Sequence, residues 1–147
     1  MMVRVTEVSG SGCVAETMRS QIGVPKPYLL SITANNYAMS VTLESASGDY
    51  LCSFTPVADS HGFTTFGKGG YYRCWQASVP INCADGSVHS IDSFGEDISG
   101  QLSGTELRGE WRASWFEGFP EPGSEKSVEM KAEYTGSRSP AIRGFKQ

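Results

Sequence analysis

The sequence has no apolar run approaching the length of a membrane-spanning helix, so no integral membrane segment is expected. It has no cluster of lysine and arginine either. Its 12 basic residues are scattered among 16 acidic ones, for a net charge of −4. Without a basic patch, neither nucleic acid nor an anionic membrane surface is expected as a partner. There is no C-x-x-C pair, which removes zinc-ribbon and thioredoxin-type sites, and no G-x-S-x-G elbow to present a nucleophilic serine. The two histidines, His61 and His89, are far apart and belong to no ligand cluster, so no metal or other cofactor is expected. Charge is sparse at 19% and hydrophobic residues reach only 39%, with 17 glycines making up the difference. That balance fits a turn-rich all-β domain better than a helical one, and 147 residues suffice for a single domain with a real core.

The hydrophobic pattern agrees. Residues 1–12 read as a tail or edge strand. Ala15, Met18 and Ile22 then fall at helical spacing, predicting a short helix that Pro25 and Pro27 terminate. From there the period is two. Leu30, Ile32 and Ala34 share a face, and Asn35-Asn36 reads as a two-residue hairpin turn. Tyr37, Met39, Val41 and Leu43 alternate with small polar residues, and Tyr50, Cys52 and Phe54 share the next face. Asp85-Gly86 and Ser103-Gly104 are hairpin signals, and Val128, Met130, Ala132 and Tyr134 alternate with charges in the last strand. Eight or nine strands joined by short turns must hide one face each and dispose of two edges. An antiparallel up-and-down β-barrel of about eight strands does both, with a β-sandwich as the alternative. The domain spans 13–138, and 139–147 reads as a C-terminal tail.

Cys13, Cys52, Cys74 and Cys83 are an even set that permits three pairings. Cys74–Cys83, closing the "WQASVPIN" loop, with Cys13–Cys52 is the favoured one. Disulfides place the protein in an oxidising compartment, extracytoplasmic or secreted; four reduced thiols would place it in the cytoplasm. The segment "MMVRVTEVSGSGCVAE" has no apolar core of signal-peptide length, so a leader is expected to be absent from this chain.

The pieces "CVAETMRSQIGVPKPYLLSIT", "GDYLCSFT", "CWQASVPINCADGS" and "ISGQLSGTELRGEW" together resemble an uncharacterised class of small bacterial exported barrel domains. In architecture these are broadly similar to lipocalins and avidins, the calycin type. The resemblance covers most of residues 13–135. It lacks the G-x-W that opens a lipocalin barrel and any biotin-like polar set. It implies a fold and export, and no activity.

The most informative run is "ELRGEWRASWFEG". Leu107, Gly109, Trp111, Ala113 and Trp115 lie on one face, and Arg108, Glu110, Arg112 and Ser114 on the other. Exposed tryptophans would make a large apolar patch, so they are expected inside and the guanidinium groups outside. Small residues between large plates either receive side chains from the opposite wall or leave a ligand chamber. Trp111 and Trp115, with Trp75, Tyr37 and Tyr134, are the candidate lining. Inward phenols would supply the few directing hydroxyls. The acids Glu96, Asp97, Glu106 and Glu110 sit near turn signals, and His89 has no evident carboxylate and serine partner, so no hydrolytic constellation is assigned. The expected function is binding of a small, largely apolar or aromatic molecule in the barrel interior. The alternative is a small-barrel cyclase or isomerase shaping a hydrophobic substrate in the same cavity; these residues alone do not decide whether a reaction is catalysed.

Overall fold

Alternating apolar residues need a partner on each side, and the chain supplies it by folding back on itself repeatedly. The computed structural model describes residues 1–36, 38–68, 71–74, 79–118 and 126–138. Strand β1 (Met2–Gly10) leads into the short helix α1 (Cys13–Arg19). Then follow β2 (Lys26–Ala34), β3 (Met39–Ser45), β4 (Tyr50–Thr55), β5 (Val57–Ala58), β6 (Gly62–Thr64) and β7 (Tyr71–Cys74). The chain ends with β8 (Val79–Asn82) and the long strands β9 (Val88–Ser103), β10 (Glu106–Gly118) and β11 (Lys126–Ser137).

All pairings are antiparallel, and the hydrogen-bonded order is β5-β6-β9-β10-β11-β1-β2-β3-β4-β7, with β8 beside the first half of β9. This is the expected all-β antiparallel sheet, curled into a half-barrel. β5 continues β4 through Pro56, which has no N–H to give a ladder. β7, the other end, lies beside β9, and no backbone ladder joins the two among the described residues. The sheet is therefore a half-barrel that stays open in its backbone hydrogen bonding between β7 and β9 among the described residues.

β1 pairs with β11 on one side and β2 on the other. Residues 2–10 are thus a strand of the sheet, paired with β11 along its length and with β2 only at Met2 and Val3. The connection after β2 also differs from expectation. Register runs to Ala34 opposite Met39, and beyond it Asn35 and Ala38 face each other, the Asn35 N–H donating to the Ala38 carbonyl at 3.0 Å and the Asn35 side chain accepting the Ala38 N–H at 2.8 Å. Gly104 turns β9 into β10 at φ 62, a conformation that suits glycine.

The core follows the alternation. Val41 and Leu43 of β3, Phe54 of β4, Ile98 of β9, and Val128, Ala132 and Tyr134 of β11 are all buried. Each fully buried aliphatic or aromatic side chain contributes roughly 1.5–3 kcal/mol. Tyr134 reaches across β10 into a slot formed where Gly109 faces Gly100. A Cβ on Gly109 would stand 2.0 Å from the Ser99 carbonyl oxygen and 2.3 Å from the Tyr134 ring. The phenol then donates to that carbonyl at 2.5 Å.

The disulfides are Cys13–Cys83 and Cys52–Cys74. The pairing favoured from sequence is not formed, because Cys52 and Cys74 stand opposite each other on β4 and β7. Cys13, at the start of α1, is left to hold the β8–β9 turn.

Candidate functional site

Helix α1 crosses one end of the barrel. Val14 and Ala15 are fully buried beneath it, while Met18 and the turn that follows face inward over an internal cavity. The cavity has a volume of about 290 Å³. Its walls come from β1, β2, β4, β7, β9, β10 and β11, and exposed Val24, Lys26 and Tyr50 mark where it meets solvent. The far half of the barrel is filled by Tyr134, Phe54, Leu43 and Ile98. The interior is therefore packed at one end and hollow at the other.

Trp111 and Trp115 both line the hollow end, and Arg108 and Arg112 point outward as the alternation requires. Outside, Arg112 donates to Glu110 and lies 4.9 Å above the Phe66 ring. Between the indoles sits a group the sequence reading placed elsewhere. Glu96 is only 5% exposed, and its Oε2 accepts the Trp111 indole N–H at 2.6 Å while Oε1 accepts that of Trp115 at 2.9 Å. Register explains the meeting. Glu96 stands directly opposite Ala113, whose small side chain leaves room for the carboxyl, and the tryptophans two residues to either side lean over it. Burying a carboxylate is costly unless donors meet it, and two indole N–H groups are such donors.

Glu96 follows Gly100 and Ile98 at alternate positions in unbroken register with Gly109, Trp111 and Ala113, so alternation itself brings it inward. A β-bulge comes only after it, nearer the start of β9. Ser114 pairs with Gly95 but Trp115 pairs with Ser93, so Phe94 is an extra residue that shifts the parity of β9. Glu96 is thus a mid-strand interior acid, not one of the turn acids.

Tyr28 of β2 packs edge-on against Trp111, with ring centroids 6.2 Å apart and planes at 75°. It lines the cavity, and its burial pushes the phenol above the ordinary tyrosine range. No hydrogen bond to its hydroxyl is formed among the described residues. Of the other expected lining residues, Tyr134 belongs to the packed core and is not on this wall. Trp75 and Tyr37 lie outside the described residues. The Cys52 and Cys74 sulfurs come within 4.8 Å of the Glu96 carboxylate. Joined as a disulfide they offer no thiolate to a metal and serve as wall.

A second polar group lies under the N-terminal end of α1. Glu117 shares the tryptophan face of β10 and is fully buried. One of its oxygens accepts the Val14 N–H at 3.3 Å, and the other meets His89 Nδ1 in a short hydrogen bond. His89 Nε2 is 2.9 Å from Ser87 Oγ, which completes the order serine–histidine–glutamate. The hydroxyl proton, however, goes to Asp85 Oδ1 at 2.5 Å. That bond, followed by the Ser87 backbone N–H, holds the Asp85 carboxyl below its usual range. Ser87 Oγ is left to accept from His89, the reverse of what a serine nucleophile needs. The group therefore works as a strap from the β8–β9 turn through β10 to α1, alongside the Cys13–Cys83 disulfide. Exposed His61 sits in the β5–β6 turn with its N–H on Asp59, as expected of a turn residue.

The chain matches no protein-family model, no curated protein and no solved structure.

Proposed function

We propose that this protein binds a small, largely apolar or aromatic molecule in the hollow end of its barrel and performs no chemistry on it. The observation that carries the reading is a cavity of about 290 Å³ with aromatic and aliphatic walls and one buried acid. That volume is close to the lower end of the range that small-ligand sites occupy. The walls are fixed before a ligand arrives, since Glu96 pins both indoles and a disulfide ties β4 to β7. A wall that does not need ordering loses less free energy on binding. In this reading the barrel works as lipocalin- and avidin-type barrels do, and its two disulfides suit an extracytoplasmic or secreted setting. A cyclase or isomerase would need a proton donor or acceptor on the wall, and Glu96 is the group so placed. Its engagement by two indoles favours holding over shuttling.

The test is titration with N-phenyl-1-naphthylamine, followed by probe emission and tryptophan quenching. One saturable site is expected, and Met18→Trp, which fills the cavity from α1, should abolish it without lowering stability. Binding that does not saturate, or that survives Met18→Trp, would refute the proposal.

A further inference from the structure

We infer that the occupant is an uncharged molecule bearing a hydrogen-bond acceptor, a carbonyl above all, which accepts a hydrogen bond from the Tyr28 phenol; this rests on the cavity being a binding site as proposed above. The deciding feature is which polar groups on the wall are already engaged. The indole N–H groups of Trp111 and Trp115 are spent on Glu96. The Tyr50 hydroxyl donates to the Arg73 carbonyl at 2.7 Å. Tyr28 stands on the same wall, and among the described residues no protein group shares a hydrogen bond with its hydroxyl. Parity turns this side chain inward, since Leu30 and Ile32, in the same phase of β2, stand opposite the buried Leu43 and Val41. Its ring packs on Trp111, itself part of the wall. The hydroxyl is desolvated by the protein around it, which holds its proton above the ordinary range. Yet it is not sealed in. Every buried side-chain polar atom among the described residues has a hydrogen-bond partner, and this one has none, so it borders open space. An inward, desolvated hydroxyl that borders open space opens on the hollow that its own ring lines.

At neutral pH the phenol keeps its proton, so a donor faces the apolar interior. A donor shut away from water is costly to leave without an acceptor. A carbonyl or ether oxygen supplies one and fixes the occupant's orientation, while the rest of the molecule meets Val3, Val5 and Met130. A hydrocarbon would leave the hydroxyl unpaired. A carboxylate would have to leave water for one neutral phenol, and that does not offset the desolvation of a charge. Lys26 stands exposed where the cavity meets solvent, so water and salt weaken its attraction for an anion. Gln21 brings an amide to the same wall; it serves donors and acceptors alike and does not choose between them. A volume of about 290 Å³ is too small for a long-chain amphiphile, which points to a ring or short chain bearing the acceptor.

The experiment uses acetophenone, ethylbenzene and benzoate, probes of similar shape, to displace N-phenyl-1-naphthylamine from the oxidised full chain at pH 7. Tyr28→Phe, which removes only the hydroxyl, should weaken acetophenone about tenfold and leave ethylbenzene unchanged. Benzoate should bind most weakly. In the native protein the carbonyl stretch of bound acetophenone should lie below its value in a hydrocarbon solvent, and in Tyr28→Phe it should return toward that value. A bound carbonyl at the hydrocarbon frequency in the native chain overturns the inference whether or not the variant folds. So does an acetophenone affinity that a folded Tyr28→Phe leaves unchanged, or benzoate bound as tightly as the ketone. If N-phenyl-1-naphthylamine and ethylbenzene saturate while acetophenone draws nothing from Tyr28, this inference falls alone. If none of the four compounds saturates, the binding proposal falls and takes it along.

Discussion

Replacing His89 by alanine strips a fully buried carboxylate of its imidazole partner. Glu117 would keep only the Val14 N–H, a bond of 3.3 Å. Removing one member of a buried pair costs about 3–5 kcal/mol, because the remaining charge is stranded. The His89 side chain is 13% exposed, so water partly reaches the gap, and the lower figure of about 3 kcal/mol applies. In a domain whose whole stability is of the order of 5–15 kcal/mol, that is a large fraction. It corresponds to a melting temperature lower by roughly 6–12 °C. Glu117→Gln removes the charge but keeps an acceptor for Val14, and should cost only about 1–2 kcal/mol. The two changes together should cost clearly less than their sum, since no charge is left behind. Urea unfolding of the oxidised protein reads these values as shifts in midpoint at constant slope. Because the strap ends on α1, amide exchange across 14–19 should quicken in His89→Ala more than in the core of β11. A cost under about 1 kcal/mol, or strict additivity, would show that Glu117 is solvated and the reasoning mistaken.

Other outcomes follow from the same structure. Non-reducing peptide mapping should recover Cys13–Cys83 and Cys52–Cys74; by loop-closure entropy the first, spanning 70 residues, should contribute about 4 kcal/mol and the second, spanning 22, about 3. Gly109→Ala should destabilise by about 1–3 kcal/mol, since its Cβ would collide with the Ser99 carbonyl and the Tyr134 ring, and a wild-type melting temperature would contradict that packing. Burial raises the Tyr28 and Tyr134 phenols above their ordinary value of 10.0, so the folded state holds these protons more firmly than the unfolded one. Their contribution is complete below pH 10.0 and is lost as pH rises further, so tyrosinate absorbance from these two should appear together with loss of the β-sheet circular dichroism signal. Ionisation near pH 10 with the fold intact would oppose it.

The face of each strand was legible wherever the alternation ran unbroken. In β10 and β11 the parity of Leu107 to Trp115 and Val128 to Tyr134 decided what was inside, and the tryptophans and guanidinium groups fall on the sides that parity requires. Parity also carried Glu117 inward, a signal present in the sequence two residues past Trp115 but overlooked among the acids. Glu96 was likewise carried inward by the parity of Gly100 and Ile98 and was overlooked. His89 was not legible in this way: seven residues before Glu96, it would face the other side, had the bulge at Phe94 not turned it inward. Gly95 beside it is the sole residue-type hint of a bulge. The small residues of β10 received more than empty space. Gly109 seats the Tyr134 ring and Ala113 faces Glu96, so the chamber lies beyond the tryptophans and not between them. The disulfide pairing depended on which non-consecutive strands adjoin, and spacing along the chain does not contain that.

Indole N–H spectroscopy tests the central arrangement most directly. In a proton–nitrogen correlation spectrum, the Trp111 and Trp115 indole signals should be shifted downfield and exchange slowly with water, and both should move and lose protection in Glu96→Ala. Two indole signals at free positions, exchanging freely and indifferent to Glu96→Ala, would mean that no carboxylate joins them inside the barrel.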